Sequence, residues 1–320
     1  MRRYLRNKLA KSAAIEYSAR MRKPQAKLIE LLPMLPPLPG WISAAPTETF
    51  EAAAFRSGAA LAHLTLLTAA PDMPLALWRD RLALEAAEVC LGLAGRREGT
   101  GALRDALHLT KAGDDPGPAG RILRQWSRAV ARPISVAQLS RALEGIAPER
   151  IALCLDATGP TPVDRAAQVI EAVLADSPRA EVAALILADA VLSKSLGWTH
   201  ILPLLSLRLK ARDLRLRRDD LRLACHRAVA DGVRQAVPVA GDLERGAARL
   251  RAVAPKLRAK GAVRAVDLFL SRDALAPATL AREMHDSLSD RAARRLCERL
   301  VELGALRELT GRDSFRLFGV

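Results

Sequence analysis

From residue 47 to 258, apolar positions recur mostly at i, i+3, i+4 and i+7, the spacing of helices that bury one face. "TFEAAAFRSGAALAHLTLL" predicts a first long helix, and "MPLALWRDRLALEAAEVCLGLAG" a second, with Asp72 as its cap and Gly95 as its stop. "TGALRDALHLT" predicts a short third helix, and the Gly-, Pro- and Asp-rich residues 111–120, "KAGDDPGPAG", predict a surface loop. "RILRQWSRAV" then runs to Pro133, and Ser135 caps "VAQLSRALEG". In "TPVDRAAQVIEAVLADS", Thr161 is the N-cap, Pro162 takes the first helical position and Asp164 stands where a capping box wants an acid. Ser177 and Pro178 suggest a similar start for "RAEVAALILADAVLSKSLG". Val182, Leu185, Ile186, Leu187, Val191 and Leu192 make that helix apolar on nearly every face, so it is expected at the centre of the core. "WTHILPLLSLRLK" is read as a further helix broken or kinked at Pro203, and two separate helices, "RRDDLRLACHRAVADGVRQAV" and "DLERGAARLRAVAPKLRAK", are expected to complete the body.

Beyond residue 261 the pattern changes. A helix in "VRAVDLFLSRDAL", a short one in "PATLAREM", a turn in "HDSLS" and a third helix in "DRAARRLCERLVELG" are followed by two strands around Thr310-Gly311-Arg312-Asp313. That order predicts a winged helix-turn-helix. At ~100° per residue, Ala292, Leu296, Leu300 and Leu303 share one face of the third helix. Arg291 and Arg294 point the other way, and Arg295 lies at the border. Guanidinium groups on such a face suit guanine edges and phosphates, and Arg312 at the hairpin tip is placed for a phosphate or a minor groove. Leu306, Leu309, Phe315 and Leu317 are expected to tie the hairpin to the helix.

Charge strengthens this picture. The 320 residues carry a net charge of +15, with 50 cations against 35 acids. A field of that sign attracts polyanions, and double-stranded DNA is the expected partner. Aromatics make up only 3% of the chain, which leaves an Ala- and Leu-rich, mostly α core. Residues 1–40 divide into a basic arm, expected to be a solvated tail without a secretory apolar region, and a linker around "LLPMLPPLPGW". The domain reading is therefore 1–40 arm and linker, 41–258 helical body, and 259–320 winged helix. The longest apolar runs contain His63 or Asp189 and fall short of the ~20 residues a membrane helix needs. Cys90, Cys154, Cys225 and Cys297 lie far apart, which fits free thiols in a reducing cytoplasm and offers no zinc motif.

Candidate chemistry in the body is sparse. No phosphate-binding loop and no His pair at HExxH spacing occur, so neither a cofactor nor a metal is expected. Arg56, Arg104, His108, Asp114 and Asp115, with Asp105, form the one loose constellation. Arg104 and His108 share a helix face, and a cleft holding Asp and His could do acid–base work. The simpler reading has Asp114 and Asp115 capping the next helix. Trp78, Trp126 and Trp198 are read as core residues.

"LSDRAARRLCERLVELGALRELTGRDSFRLFGV" resembles the C-terminal winged helix appended to many Fic-domain proteins. The HPFxxGNGR motif of those enzymes is absent, so their nucleotidyl transfer is not implied. The stretches "FRSGAALAHL", "WRDRLALEAAEVCLGLAGRRE", "LRDALHLTKAGDDPGPAGRILRQW" and "LGWTHILPLL" resemble domain-of-unknown-function family 1403, a group of uncharacterised bacterial proteins that implies no established activity. The favoured expectation is a DNA-binding or regulatory protein. Two rivals are a helical enzyme distantly related to the Fic fold, with altered chemistry around His108 and Asp114, and an interaction module packing in a homodimer.

Overall fold

A computed structural model of the chain describes residues 37–42, 49–111, 113–257, 261–284 and 288–320. The basic arm and most of the proline-rich linker lie outside the described residues, as does part of the "HDSLS" turn. Residues 38–320 form one compact unit. Twelve α-helices are described: α1 Phe50–Thr68, α2 Leu75–Leu93, α3 Thr100–His108, α4 Gly117–Val130, α5 Val136–Ala142, α6 Pro148–Leu155, α7 Pro162–Asp176, α8 Glu181–Ser195, α9 Arg218–Val253, α10 Ala262–Phe269, α11 Pro277–Glu283 and α12 Asp290–Glu302. Two short strands follow, β1 Arg307–Glu308 and β2 Phe318–Gly319, paired antiparallel. The chain is thus mostly helical, and none of the described helices is long and apolar enough to cross a membrane.

Local chemistry sets several boundaries where the sequence puts them. Thr161 Oγ1 accepts from the Asp164 N–H at 3.1 Å and donates to the Asp164 carboxylate at 2.8 Å, a reciprocal cap at the start of α7. Ser135 caps α5 by accepting from Gln138 N–H at 3.2 Å. At the end of α2, Gly95 takes φ +74, and the Arg96 N–H reaches back to the Leu91 carbonyl at 2.9 Å, which satisfies a carbonyl the helix leaves open. Other boundaries differ from expectation. Asp72 does not cap α2, which starts after Pro74 with no side-chain cap. Ser177 is the C-cap of α7, and α8 starts only after Ala180. Helix α6, opened by Pro148, carries no sequence-level expectation and packs against α5 and α8.

The expected acidic loop is shorter than residues 111–120, because α4 already begins at Gly117. Asp115 Oδ1 accepts from the Gly117 N–H at 3.1 Å, and its other oxygen pairs with Arg121 at 2.7 Å. Asp114 is exposed. Replacing Asp115 with Ala should therefore cost about 1 kcal/mol, a fall of roughly 2–4 °C in melting temperature. Asp114→Ala should leave the melting temperature unchanged, and equal effects of the two would remove the capping role.

The core forms around α8. Leu185, Ile186, Leu187, Ala188, Ala190, Val191 and Leu192 are fully or almost fully buried, with α7 and α9 packed nearby: α8 lies on α7, and α7 on α9. Residues 198–210 are not a helix. They run as an irregular and largely buried segment over α8 and α9. Buried irregular backbone needs partners for its N–H groups, and here Asp189 supplies them. Its Oδ1 accepts from Leu204 and Leu205 N–H at 3.1 and 2.9 Å, and its Oδ2 from Ser206 N–H at 3.3 Å and Ser206 O–H at 2.7 Å. Ser193 Oγ accepts from Leu202 N–H at 3.1 Å. Gly232 of α9 lets this segment approach, since a Cβ there would stand 2.5 Å from the Leu204 carbonyl oxygen.

Helix α9 runs for 36 residues straight through Pro238 rather than dividing there. Pro238 sits on the exposed side, and buried residues on both sides of it, from Val233 and Ala236 to Ala240 and Leu243, hold one continuous face against the body. Burial of that face outweighs the single backbone hydrogen bond that the proline removes.

Candidate nucleic-acid interface

The C-terminal segment begins with α10. A lone bridge residue, Leu275, exchanges two backbone hydrogen bonds of 2.9 Å with Phe318. Then come α11, α12 and the β1–β2 pair. Ser289 caps α12 by accepting from Ala292 N–H at 3.4 Å. Gly304, at φ +66, ends the helix, with the Ala305 N–H on the Leu300 carbonyl at 2.9 Å. Ala293, Leu296, Cys297 and Leu300 are buried, so the apolar face is centred one residue further along than the expected Ala292, which is half-buried like Leu303. Burial pushes the Cys297 thiol up to about 12, so it stays a neutral core group.

Arg291, Arg294, Arg295 and Arg299 project from the opposite side of α12 and are exposed, with Glu298 among them. Arg299 pairs with Glu302 at 2.8 Å. Arg291, Arg295 and Arg299 line a shallow groove of about 510 Å³ with Leu257 and Ser289. Four guanidinium groups on one helix face can meet successive phosphates or the acceptor edges of bases.

The hairpin departs from expectation in two ways. Leu306, Leu317 and Phe318 are buried, but Phe315 is 73% exposed and adopts φ +56, a conformation disfavoured for a bulky side chain. Phe318 does the packing expected of Phe315, and the Arg316 guanidinium lies over its ring at 5.0 Å. Arg312 is half-exposed but is not free at the tip, because it pairs with Asp105 of α3.

That contact belongs to a larger junction between the body and the C-terminal segment. Asp273, 5% exposed, takes the guanidinium Nε of Arg81 on one oxygen and that of Arg104 on the other, the second at 2.6 Å. Its own N–H donates to Asp80 at 2.8 Å. Burial alone would raise the Asp273 pKa, but the hydrogen bonds and charges of Arg104 and Arg81 outweigh it and hold the carboxyl below its ordinary range. Among the described residues no guanidinium pairs with Asp80, and burial lifts it to about 6. Next to them, Arg272 forks onto Glu283.

The body constellation is partly assembled here. Arg104 and His108 lie by Asp273, and burial depresses the His108 pKa, so its imidazole is neutral at pH 7. Asp115 instead faces Arg121, Asp114 faces solvent, and Arg56 donates to the Ile42 carbonyl at 2.6 Å. Among the described residues no group of three His, Cys, Asp or Glu side chains could hold a metal ion. Sequence reasoning missed Arg81, Asp273 and Asp80 altogether. Arg81 and Asp273 are 192 positions apart, and no local spacing signals such a pair.

A family model described as "Protein of unknown function (DUF1403)" matches residues 27–320. No curated protein and no solved structure matches the chain.

Proposed function

The chain belongs to that family of unknown function, and from this premise we propose that residues 259–320 form a winged helix-turn-helix that binds double-stranded DNA through α12. One observation carries the reading. Arg291, Arg294, Arg295 and Arg299 are exposed on one face while Ala293, Leu296 and Leu300 bury the other. The layout supports a recognition helix packed on α11, and the order of α10, Leu275, α11, α12, β1 and β2 is that of a winged helix. The net charge of +15 supplies attraction to any duplex, so affinity falls steeply with salt.

The test is duplex affinity across a salt series for wild type and for Arg291→Ala, Arg294→Ala and Arg295→Ala. Each lost phosphate contact should lower the slope of log affinity against log salt by about 0.9. Each lost base contact should cost about 1–3 kcal/mol and relax specificity at one position. Arg312→Ala should change the slope less, since Arg312 already spends its charge on Asp105. Wild-type affinity and slope in all the α12 variants, with helical content intact, would defeat the reading.

The rival of a packing module has its own support. The Arg312–Asp105 pair and the close approach of Val320 to Gly246 of α9 tie the hairpin to the body. Under that reading the hairpin variants lower the melting temperature and no variant touches DNA affinity.

A further inference from the structure

A cavity of about 240 Å³ opens where the end of α1, the first turns of α2 and the segment after α8 meet. Its walls include Trp78, Arg79, Trp198, Thr199, His200 and Leu202. Two atoms there stand out. Arg79 Nε and Trp198 Nε1 are both buried, with no hydrogen-bond partner among the described residues. Each can only donate, and buried donors are nearly always paired. Trp198 is thus not the core residue that the sequence suggests. Trp78 and Trp126 are fully buried, with their ring N–H groups on the Ala236 carbonyl and the Cys90 sulfur, whereas Trp198 keeps its N–H at a cavity.

The electrostatics match an anion. Burial lowers the Arg79 pKa, and among the described residues no neighbouring charge opposes it. None of the residues lining the cavity is acidic. His200 is also held below its ordinary pKa, first by burial and then by the charge of Arg79, so it presents a neutral imidazole. Its Nδ1 shares a hydrogen bond of 2.8 Å with Thr199 Oγ1. A water molecule could satisfy the two orphan donors, but only an anion would also meet the charge of the partly buried guanidinium. Trp78 and Leu202 add an apolar wall. The volume lies below the ~300–1,000 Å³ of pockets for drug-sized ligands, which restricts the occupant to a molecule smaller than a typical drug.

We propose that this cavity is a binding site for a small organic anion, whose carboxylate or phosphate head is taken by Arg79 and the Trp198 indole N–H and whose apolar body lies against Trp78 and Leu202. Arginine is suited to either head, because its planar fork matches both. The site lies on the helical body, and the inference does not depend on the DNA reading.

Calorimetric titration of the full chain with benzoate, phenyl phosphate and neutral benzamide tests it. Saturable binding of one anion per chain is expected, with benzamide at least about tenfold weaker. Tighter binding of benzoate would identify a carboxylate site, and of phenyl phosphate a phosphate site. Arg79→Gln should weaken the anion at least about tenfold, and Trp198→Phe, which keeps a ring but removes the N–H, should weaken it several-fold. Should Arg79→Gln not fold, the benzoate–benzamide contrast and Trp198→Phe decide. Equal binding of benzamide and the anions, wild-type anion affinity in the variants that fold, or no heat with either anion at millimolar concentration would each overturn the proposal.

Discussion

Asp189→Asn should lower the melting temperature by roughly 6–12 °C, the consequence of losing about 3 kcal/mol in a body of this size. The carboxylate is fully buried and accepts four hydrogen bonds, two on each oxygen, from residues 204–206. An Asn can keep one oxygen but must turn an NH₂ toward the other donors. The displaced Ser206 N–H would then be buried and unpaired, at about 1–3 kcal/mol, while the Ser206 hydroxyl has to turn from donor to acceptor of the new NH₂. Asp189→Ala should cost more, because it strands all four. The pH dependence follows from the same environment. Burial raises the Asp189 pKa against the pull of its hydrogen bonds, from the ordinary 3.8 to about 6. A raised carboxyl contributes stability in full below its ordinary pKa and loses it as pH climbs through the folded value. The wild type therefore gives up stability at this site between 3.8 and about 6, while the Asn variant does not, and the gap between them narrows as pH rises toward neutrality. Thermal melts of both proteins across that window check the sign and the size. A melting temperature within ~2 °C of wild type would mean that the segment holds its course without the carboxylate.

Asp189 also shows where sequence reasoning stops. Its helix was legible, because an all-round apolar run has nowhere to go but the core, and Leu185, Ile186 and Leu187 are fully buried. The role of the acid in that run was not. The residues it organises begin 15 positions later, in a stretch whose Leu-rich composition suits a helix, and only the tertiary approach of the two shows that carboxylate hydrogen bonds replace helical ones. Local signals served well where both partners lie within one turn, as at Thr161 with Asp164, Ser135 with Gln138 and Gly95 with its helix. They failed at Pro238, where a continuous buried face carries α9 through a residue that reads as a breaker. In the C-terminal segment the arginine face of α12 was readable from its period. The clamp on Asp273 and the capture of Arg312 by Asp105 were not, because both span most of the chain. The orphan donors of Arg79 and Trp198 left no trace in the sequence either, since an unpaired atom is a property of the fold alone.

The same long-range chemistry sets the second large effect. Asp273→Ala should cost about 3–5 kcal/mol, the usual result of removing one partner of a buried pair. Arg81 and Arg104 would be left facing each other with their side chains only 17% and 14% exposed. The loss should be local in character. Leu275, two residues along, holds Phe318 by two hydrogen bonds, and Gly319 packs so closely that a Cβ would stand 2.5 Å from the Asp273 carbonyl oxygen. Backbone amides of the β1–β2 pair and of Leu275 should therefore exchange with deuterium faster in the variant, while those of α7 and α8 keep their protection. Coupling gives a sharper check. Replacing Arg81 and Arg104 with Met removes the repulsion, so the triple variant should recover much of the stability lost in Asp273→Ala alone, as apolar replacements of buried charges often do. The pH dependence opposes that of Asp189. The Asp273 carboxyl is held below its ordinary value, so its contribution is complete above the ordinary 3.8 and disappears as pH falls through the lower, folded pKa. Acid should thus loosen the hairpin before it loosens the core. Additive losses in the triple variant, or uniform exchange across body and hairpin, would show that Asp273 is not the clamp between them.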